Sequence, residues 1–228
     1  MTDQLHQRHT ALARQAGFSL LEISVVLVVI GIIIGAVTIG RDVMLTAAHQ
    51  RIATEFVQGW AIGYDTFASN NGIVIADNAA NPTGYVNAAT ATPLCLNNLR
   101  GAMQAAGIGM PTGRAEGSET LAVYLDSSGT PQEMAICFSN VSWSEPGATP
   151  GTFVVRNRNV MRLTGLSPAM AKMLDNHFDG RVDARFGKFR EQASANNTGA
   201  ASIAWTQVES ALDEQQSPVM NAYLLMNQ

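Results

Sequence analysis

The feature that most constrains this chain is an apolar run that begins at Phe18 and ends at Ile39. As a helix, the run would be roughly 33 Å long, which is about the thickness of the hydrocarbon core of a bilayer. It contains one carboxylate, Glu22, close to its start, and Gly17 directly precedes it. Because a charge in a membrane helix is costly and usually marks a partner, Glu22 needs a complementary group.

Three kinds of N-terminal segment compete to explain this pattern. A secretory signal peptide has a shorter apolar core, followed by its small-residue cleavage site, whereas Gly17 lies before the run. An ordinary transmembrane anchor fits the length, and the basic residues before it favour a cytoplasmic N-terminus. These are His6, Arg8, His9 and Arg14. A plain anchor, however, explains neither Glu22 nor the Gly17–Phe18 step.

Cleavage between Gly17 and Phe18 on the cytoplasmic side explains both. It would leave a new α-amino group at Phe18, with Glu22 one helical turn away. The amino terminus of a neighbouring subunit would then complement the carboxylate, since a desolvated pair interacts more strongly than a solvated one. This interpretation predicts that Glu22 sets the register of assembly.

The string GFSLLE and the apolar run after it resemble the class III leader of type IV pilins and of the pseudopilins of type II secretion. The resemblance implies that a membrane prepilin peptidase cuts after Gly17 and methylates the new N-terminal Phe18. It also implies that Glu22 is the acid that pairs with the N-terminus of the adjacent subunit.

The resemblance extends from Arg14 to about Phe67 and departs from the family in two ways. The leader is longer than in most short-leader type IV pilins, and the proline that often kinks the helix near Ile39 is absent. Glycines within the helix are expected to supply local weakness instead, because each costs about 1 kcal/mol in a helix interior. They are Gly31, Gly35 and Gly40.

Helical periodicity continues beyond the membrane segment, and no proline interrupts residues 18–69. One stripe recurs at spacings of three and four, and Asn70, Asn71 and Gly72 provide a stop. Its members are Leu45, Ala48, Ile52, Phe56, Trp60, Tyr64 and Phe67. We therefore expect a leader (1–17, cleaved), a transmembrane or filament-core helix (18–39), its amphipathic continuation (40–71) and a globular head (72–228).

The sequence of the head predicts a small antiparallel sheet with helices. A helix is expected from Thr92, as its N-cap, to Gly107, and another from Ser167 and Pro168. Strands are expected at 120–125 and 133–138, as a hairpin, and at 152–156 and 222–226, with a short helix at Gln207–Asp213. The fold class is thus α+β: a long N-terminal helix, membrane-spanning in its first half, packed on an antiparallel head, as in pilins.

The two cysteines, Cys95 and Cys137, both follow the apolar run. An exported head lies in an oxidising compartment, where a pair of cysteines tends to form a disulfide. We expect one here, with two unrelated buried thiols as the alternative.

One acidic string in the head, DNHFDGRVD, suggests a metal site. Asp175, Asp179 and Asp183 could present oxygen ligands to calcium. The EF-hand pattern fails, because Phe186 stands where the bidentate glutamate is needed. The favoured interpretation is a turn that ends a helix, with calcium as the alternative and no cofactor otherwise expected.

Basic residues are concentrated between Arg156 and Arg190, although the formal net charge of the chain is −4. Such a strip could bind DNA phosphates or acidic neighbouring subunits. We favour subunit contacts, since charge alone carries no sequence specificity. The strip comprises Arg156, Arg158, Arg162, Lys172, Arg181, Arg185, Lys188 and Arg190.

No enzyme is expected, because the sequence lacks the common nucleophile, metalloprotease and phosphate-loop motifs. The sequence instead predicts a prepilin in the inner membrane with a periplasmic head, later part of an extracellular pilus or a periplasmic pseudopilus. Its expected partners are other pilin subunits, the prepilin peptidase and the assembly platform. The alternative function is a monomeric anchored protein whose head binds DNA or another ligand.

Overall fold

The computed structural model describes residues 17–90, 92–206 and 219–227. The chain divides into two compact units, Met1–Met44 and Leu45–Gln228. The expected helix at Gln207–Asp213 lies outside the described residues, as does the leader up to Ala16. In chain order the elements are α1 (Leu20–Arg51), a π-helical segment (Ile52–Val57), α2 (Gln58–Asn71), a 3₁₀ segment (Val86–Ala89), β1 (Leu94–Cys95), α3 (Leu96–Ala105), β2 (Leu121–Leu125), β3 (Pro131–Pro146), β4 (Phe153–Leu166), α4 (Pro168–Asp179), β5 (Phe189–Glu191), a second 3₁₀ segment (Gln192–Ser194) and β6 (Met220–Leu225).

The described part of the first unit is apolar and exposed around the whole helix. Its large apolar side chains keep between 46% (Ile30) and 89% (Leu20) of their surface exposed. The helix Leu20–Asn71 is long and apolar enough, by length and composition, to cross a membrane. The predicted long helix is confirmed, and none of the described residues of its own unit packs against its apolar first half.

In the second unit the helix becomes amphipathic, as its sequence period predicts. Phe56, Trp60 and Tyr64 are buried, and the Tyr64 ring stacks on Phe138 of β3 with 5.1 Å between ring centroids. Ala48, which the predicted stripe included, is exposed. Gly72 ends the helix with φ +70°, a left-handed conformation that favours glycine. The predicted stop is therefore confirmed.

The sheet is antiparallel, with strand order β1-β3-β4-β6-β5 and with β2 also paired to β3. The predicted hairpin is present, but β3 and β4 run far beyond the expected 138 and 156. Polar residues interrupt the apolar pattern in these extensions, and neighbouring segments of the chain supply hydrogen-bond partners for them. Asn159, for example, is buried, accepts the Val86 amide at 2.9 Å and donates to the Gly84 carbonyl at 2.8 Å.

The first head helix begins later than its sequence predicted, so Thr92 is not its N-cap. Leu94 and Cys95 instead form β1, in register with Phe138 and Cys137, and α3 starts at Leu96. Pairing with β3 holds this stretch extended. The second predicted start is confirmed: the Ser167 hydroxyl accepts the Met170 amide at 3.3 Å, and α4 opens at Pro168. The architecture as a whole is α+β and pilin-like.

Candidate functional site

The start of α1 is closed by two reciprocal hydrogen bonds. The Glu22 amide donates to the Ser19 hydroxyl at 3.1 Å, and the Ser19 amide donates to Oε2 of Glu22 at 2.8 Å. This is a capping box, which satisfies amides that the first helical turn otherwise leaves without partners. Residues 17–19 are therefore non-helical, and the helix begins at Leu20.

Helix capping places the three predicted N-terminal residues at one end of the apolar helix. The Gly17–Phe18 peptide lies just outside the helix, and the Phe18 side chain is 84% exposed. An exposed, non-helical peptide is suited to enter the active site of a protease. The Glu22 carboxylate faces the same end, among exposed apolar side chains.

Ser19 is a functional candidate that the sequence interpretation missed. Its signal was present, since Ser-Leu-Leu-Glu has the Ser-x-x-Glu spacing of a capping box. The Glu22 carboxylate therefore already has a partner within its own chain, which the charge-pairing interpretation did not consider.

In the head, the predicted disulfide between Cys95 and Cys137 is present. It joins β1 to β3, and Cys95 of β1 lies directly opposite Cys137 of β3 in the strand register. The cross-link thus fixes the segment that precedes α3 to the sheet.

Asp175 is fully buried on α4, and among the residues that the structure describes no lysine or arginine forms an ion pair with it. Its Oδ2 accepts the Trp205 indole N–H at 2.6 Å and the Asp183 amide at 2.7 Å, while Oδ1 has no hydrogen-bond partner. Burial raises the pKa of Asp175 to about 6, and the Asp179 and Asp183 carboxylates add to the rise. This side chain ties α4 to two later segments of the chain.

Asp179 and Asp183 serve as acceptors for nearby protein donors. Asp179 receives the Lys188 amide at 2.9 Å and the Phe189 amide at 2.8 Å. Burial alone would raise the pKa of Asp183, but hydrogen bonds from Ser202 and from the amides of Arg185 and Phe186 hold it below its ordinary value.

These contacts favour the turn over the calcium site. Gly180 ends α4 in the left-handed conformation, as expected of the Asp179–Gly180 step. In the part of the chain that the structure describes, no group of three His, Cys, Asp or Glu side chains is arranged to hold a metal ion. The described residues therefore give the calcium hypothesis no support. A cavity of about 350 Å³ does lie here, lined by Asp179, Arg181, Asp183, Phe186, Gly187, Ala200 and Ser202.

The basic strip does not form one exposed surface. Arg185 is 1% exposed, with its guanidinium 4.4 Å from the Phe153 ring centroid and 4.2 Å from that of Phe186. Arg190 is buried over Trp143, and burial, together with Arg185, lowers its pKa to about 10. Two of the eight basic residues of the strip are therefore internal, which weakens the case for a phosphate-binding face.

The other six basic residues of the strip differ in their surroundings, and two of them, Arg162 and Lys172, are half-buried. Arg158 forms a two-pronged ion pair with Glu145, and Arg156 lies 3.7 Å from the same carboxylate. Arg181 and Lys188 are exposed.

Comparison with protein families finds a match at the N-terminus. The prokaryotic N-terminal methylation motif matches residues 12–38, which include Gly17, Phe18 and Glu22. None of the curated proteins matches the chain, and none of the solved structures does.

Proposed function

We propose that this chain, a type IV pilin-like precursor with a class III leader, is a structural subunit that polymerises through its N-terminal helix into a pilus or pseudopilus. In this proposal a prepilin peptidase cuts between Gly17 and Phe18 and methylates Phe18. Residues 1–17 are the leader, residues 18–39 the filament-core helix, residues 40–71 its amphipathic continuation and residues 72–228 the head.

The observation that carries the proposal is the exposed apolar helix that follows the methylation motif. Side chains such as Leu20, Ile32 and Val43 remain more than half exposed in the isolated chain. Such a surface is stable in lipid or against other apolar helices, not in water. A helix that first spans a bilayer and then packs among its copies satisfies both conditions in turn.

Glu22 gives this assembly a register. A carboxylate at the edge of an apolar bundle is stabilised by a cation, and cleavage creates one at the Phe18 amine of each subunit. The proposed route is single-pass insertion in the inner membrane with a periplasmic head, followed by transfer through an assembly platform into the filament.

The test is substitution of Glu22 in the native host. Glu22→Ala should leave membrane insertion intact but reduce incorporation into sheared or sedimented filaments at least tenfold, because the buried register pair is lost. Glu116→Ala is the matched control, since Glu116 is an exposed acid of the head. It should incorporate like the wild type.

Normal filaments that contain the Glu22→Ala subunit would contradict the assembly role. The alternative function, a monomeric anchored binding protein, predicts that neither substitution changes sedimentation, because no polymer forms. It also predicts that the N-terminal segment stays attached.

A further inference from the structure

We infer that Ser19 is a positioning residue for assembly, which holds the Glu22 carboxylate at the helix start where the amine of a second copy can reach it. This inference rests on the proposed function, because it assigns a supporting residue to the same site. The inference is based on the two reciprocal hydrogen bonds between Ser19 and Glu22.

Both members of the capping box lie after the Gly17–Phe18 bond, so cleavage leaves the box intact. The Ser19 amide holds Oε2 of Glu22 at 2.8 Å. Since Ser19 directly follows Phe18, the carboxylate lies within about 6 Å of the position where the new amine forms. The box therefore keeps the acid at the cleaved end of the helix.

The box also leaves one acceptor available. Oε2 takes the hydrogen bond from Ser19, while among the described residues Oε1 accepts none. A second copy's amine can approach Oε1 without breaking the box. Because the long side chain is already fixed in one place, less conformational freedom is lost when the pair forms.

Three substitutions separate this role from general effects on the helix. Ser19→Ala removes the hydroxyl that closes the box, and Ser19→Thr restores a hydroxyl at the same position. Ser24→Ala is the matched control, because the Ser24 hydroxyl donates to the Leu21 carbonyl at 2.8 Å and is not part of the capping box. All three are made in the full chain and expressed in its native host.

The readout is the Phe18–Glu22 contact itself in isolated filaments. The hydrophobic reagent dicyclohexylcarbodiimide couples a carboxyl group to a nearby amine, so the yield of covalent dimers linked through Glu22 and Phe18 can be measured per cleaved subunit. We expect Ser19→Ala to lower this yield roughly fivefold, the effect of losing one helix cap. Ser19→Thr should restore most of the yield, and Ser24→Ala should match the wild type.

Two results would overturn the inference: an unchanged dimer yield in Ser19→Ala, or an equal loss in Ser19→Thr, which keeps the hydroxyl. If Ser19→Ala is not cleaved, amide hydrogen exchange at Ser19 and Glu22 in the full-length chain in nanodiscs replaces the cross-link. If the amides at positions 19 and 22 exchange as slowly in Ser19→Ala as in the wild type, the inference is contradicted. Faster exchange in Ser19→Ala that returns to the wild-type rate in Ser19→Thr supports it. Failure of the proposed function differs from all of these, because the wild type itself would then lack cleaved subunits and filaments.

Discussion

Asp175 shows how much a single buried carboxyl group can influence the head. It is fully buried, and its Oδ2 joins α4 to the Asp183 amide and the Trp205 indole. Among the described residues its other oxygen has no hydrogen-bond partner, and the Asp179 and Asp183 carboxylates further raise its pKa. The folded head therefore favours the neutral form of this side chain.

A dependence of stability on pH follows. The pKa of Asp175 rises from 3.8 in its ordinary state to about 6 in the fold. Between these values the unfolded chain loses its proton first, so the free energy of unfolding should fall as pH rises from about 4 through 6 and then level off. Asp175→Asn keeps an oxygen acceptor but cannot ionise. It should remove this fall and stabilise the head by about 1–3 kcal/mol at pH 7.5.

Urea unfolding of the full chain in detergent micelles, followed by tryptophan fluorescence, measures this effect. Wild type and Asp175→Asn are compared at pH 4.5 and pH 7.5. Equal pH dependence in the two proteins would mean that Asp175 is not the group that titrates.

The role of a residue could be predicted from the sequence when it depends on neighbours in the chain, and not when it depends on distant contacts. Gly17, Phe18 and Glu22 lie within six residues of one another, so a short motif contains the whole proposed cleavage and assembly site. Asp175 was visible as an acid, but its burial depends on Trp205, which is 30 residues away. Arg185 was counted as surface charge for the same reason, because Phe153, which covers it, lies 32 residues earlier on β4.

At the scale of elements, the β4 strand departs from regular pairing at its far end. Its register with β6 shifts between Leu163 and Leu166, and Gly165 within the shift has φ +77°. A Cβ atom at Gly165 would lie 2.1 Å from the Glu133 carbonyl oxygen of β3. Glycine thus permits both the left-handed backbone and the close approach of the two strands.

Gly165→Ala should therefore destabilise the head by more than about 2 kcal/mol, because backbone strain and a steric clash act together. Gly129→Ala is the matched control: its φ is +86°, but a Cβ atom there meets nothing within 4 Å. It should cost only about 1 kcal/mol. Denaturant midpoints of the two variants give the comparison, and equal losses would show that the contact with Glu133 is unimportant.

Elements with strong local signals could be predicted, and those that depend on distant contacts could not. The starts and stops at Ser167, Gly180 and Gly72 follow from local capping chemistry, and all three are present. β1 has only two residues, and its extended conformation depends on pairing with β3 and on the disulfide. The far halves of β3 and β4 contain many polar residues and are held extended by pairing with each other, which a short window of sequence does not show. The loop at residues 84–86 also bonds to the Asn159 side chain.

At the scale of the whole molecule, two units have different chemical requirements. The second unit buries its own core, with Trp60, Phe138 and Leu163 among the residues inside. The described part of the first unit buries none of its large apolar side chains and therefore needs lipid or other helices around it. The proposed transfer of the chain from a membrane to a filament would account for this contrast.

The central claim is that the chain is a precursor, cut and methylated at the start of its helix. The most direct measurement is mass spectrometry of the intact protein and its N-terminal peptide, from the native membrane or a sheared surface fraction. If the chain is processed as proposed, the N-terminal peptide begins at Phe18 and carries one added methyl group. A mature protein whose N-terminus is still Met1 would contradict it and would leave Glu22 with Ser19 as its structural partner in a plain membrane anchor.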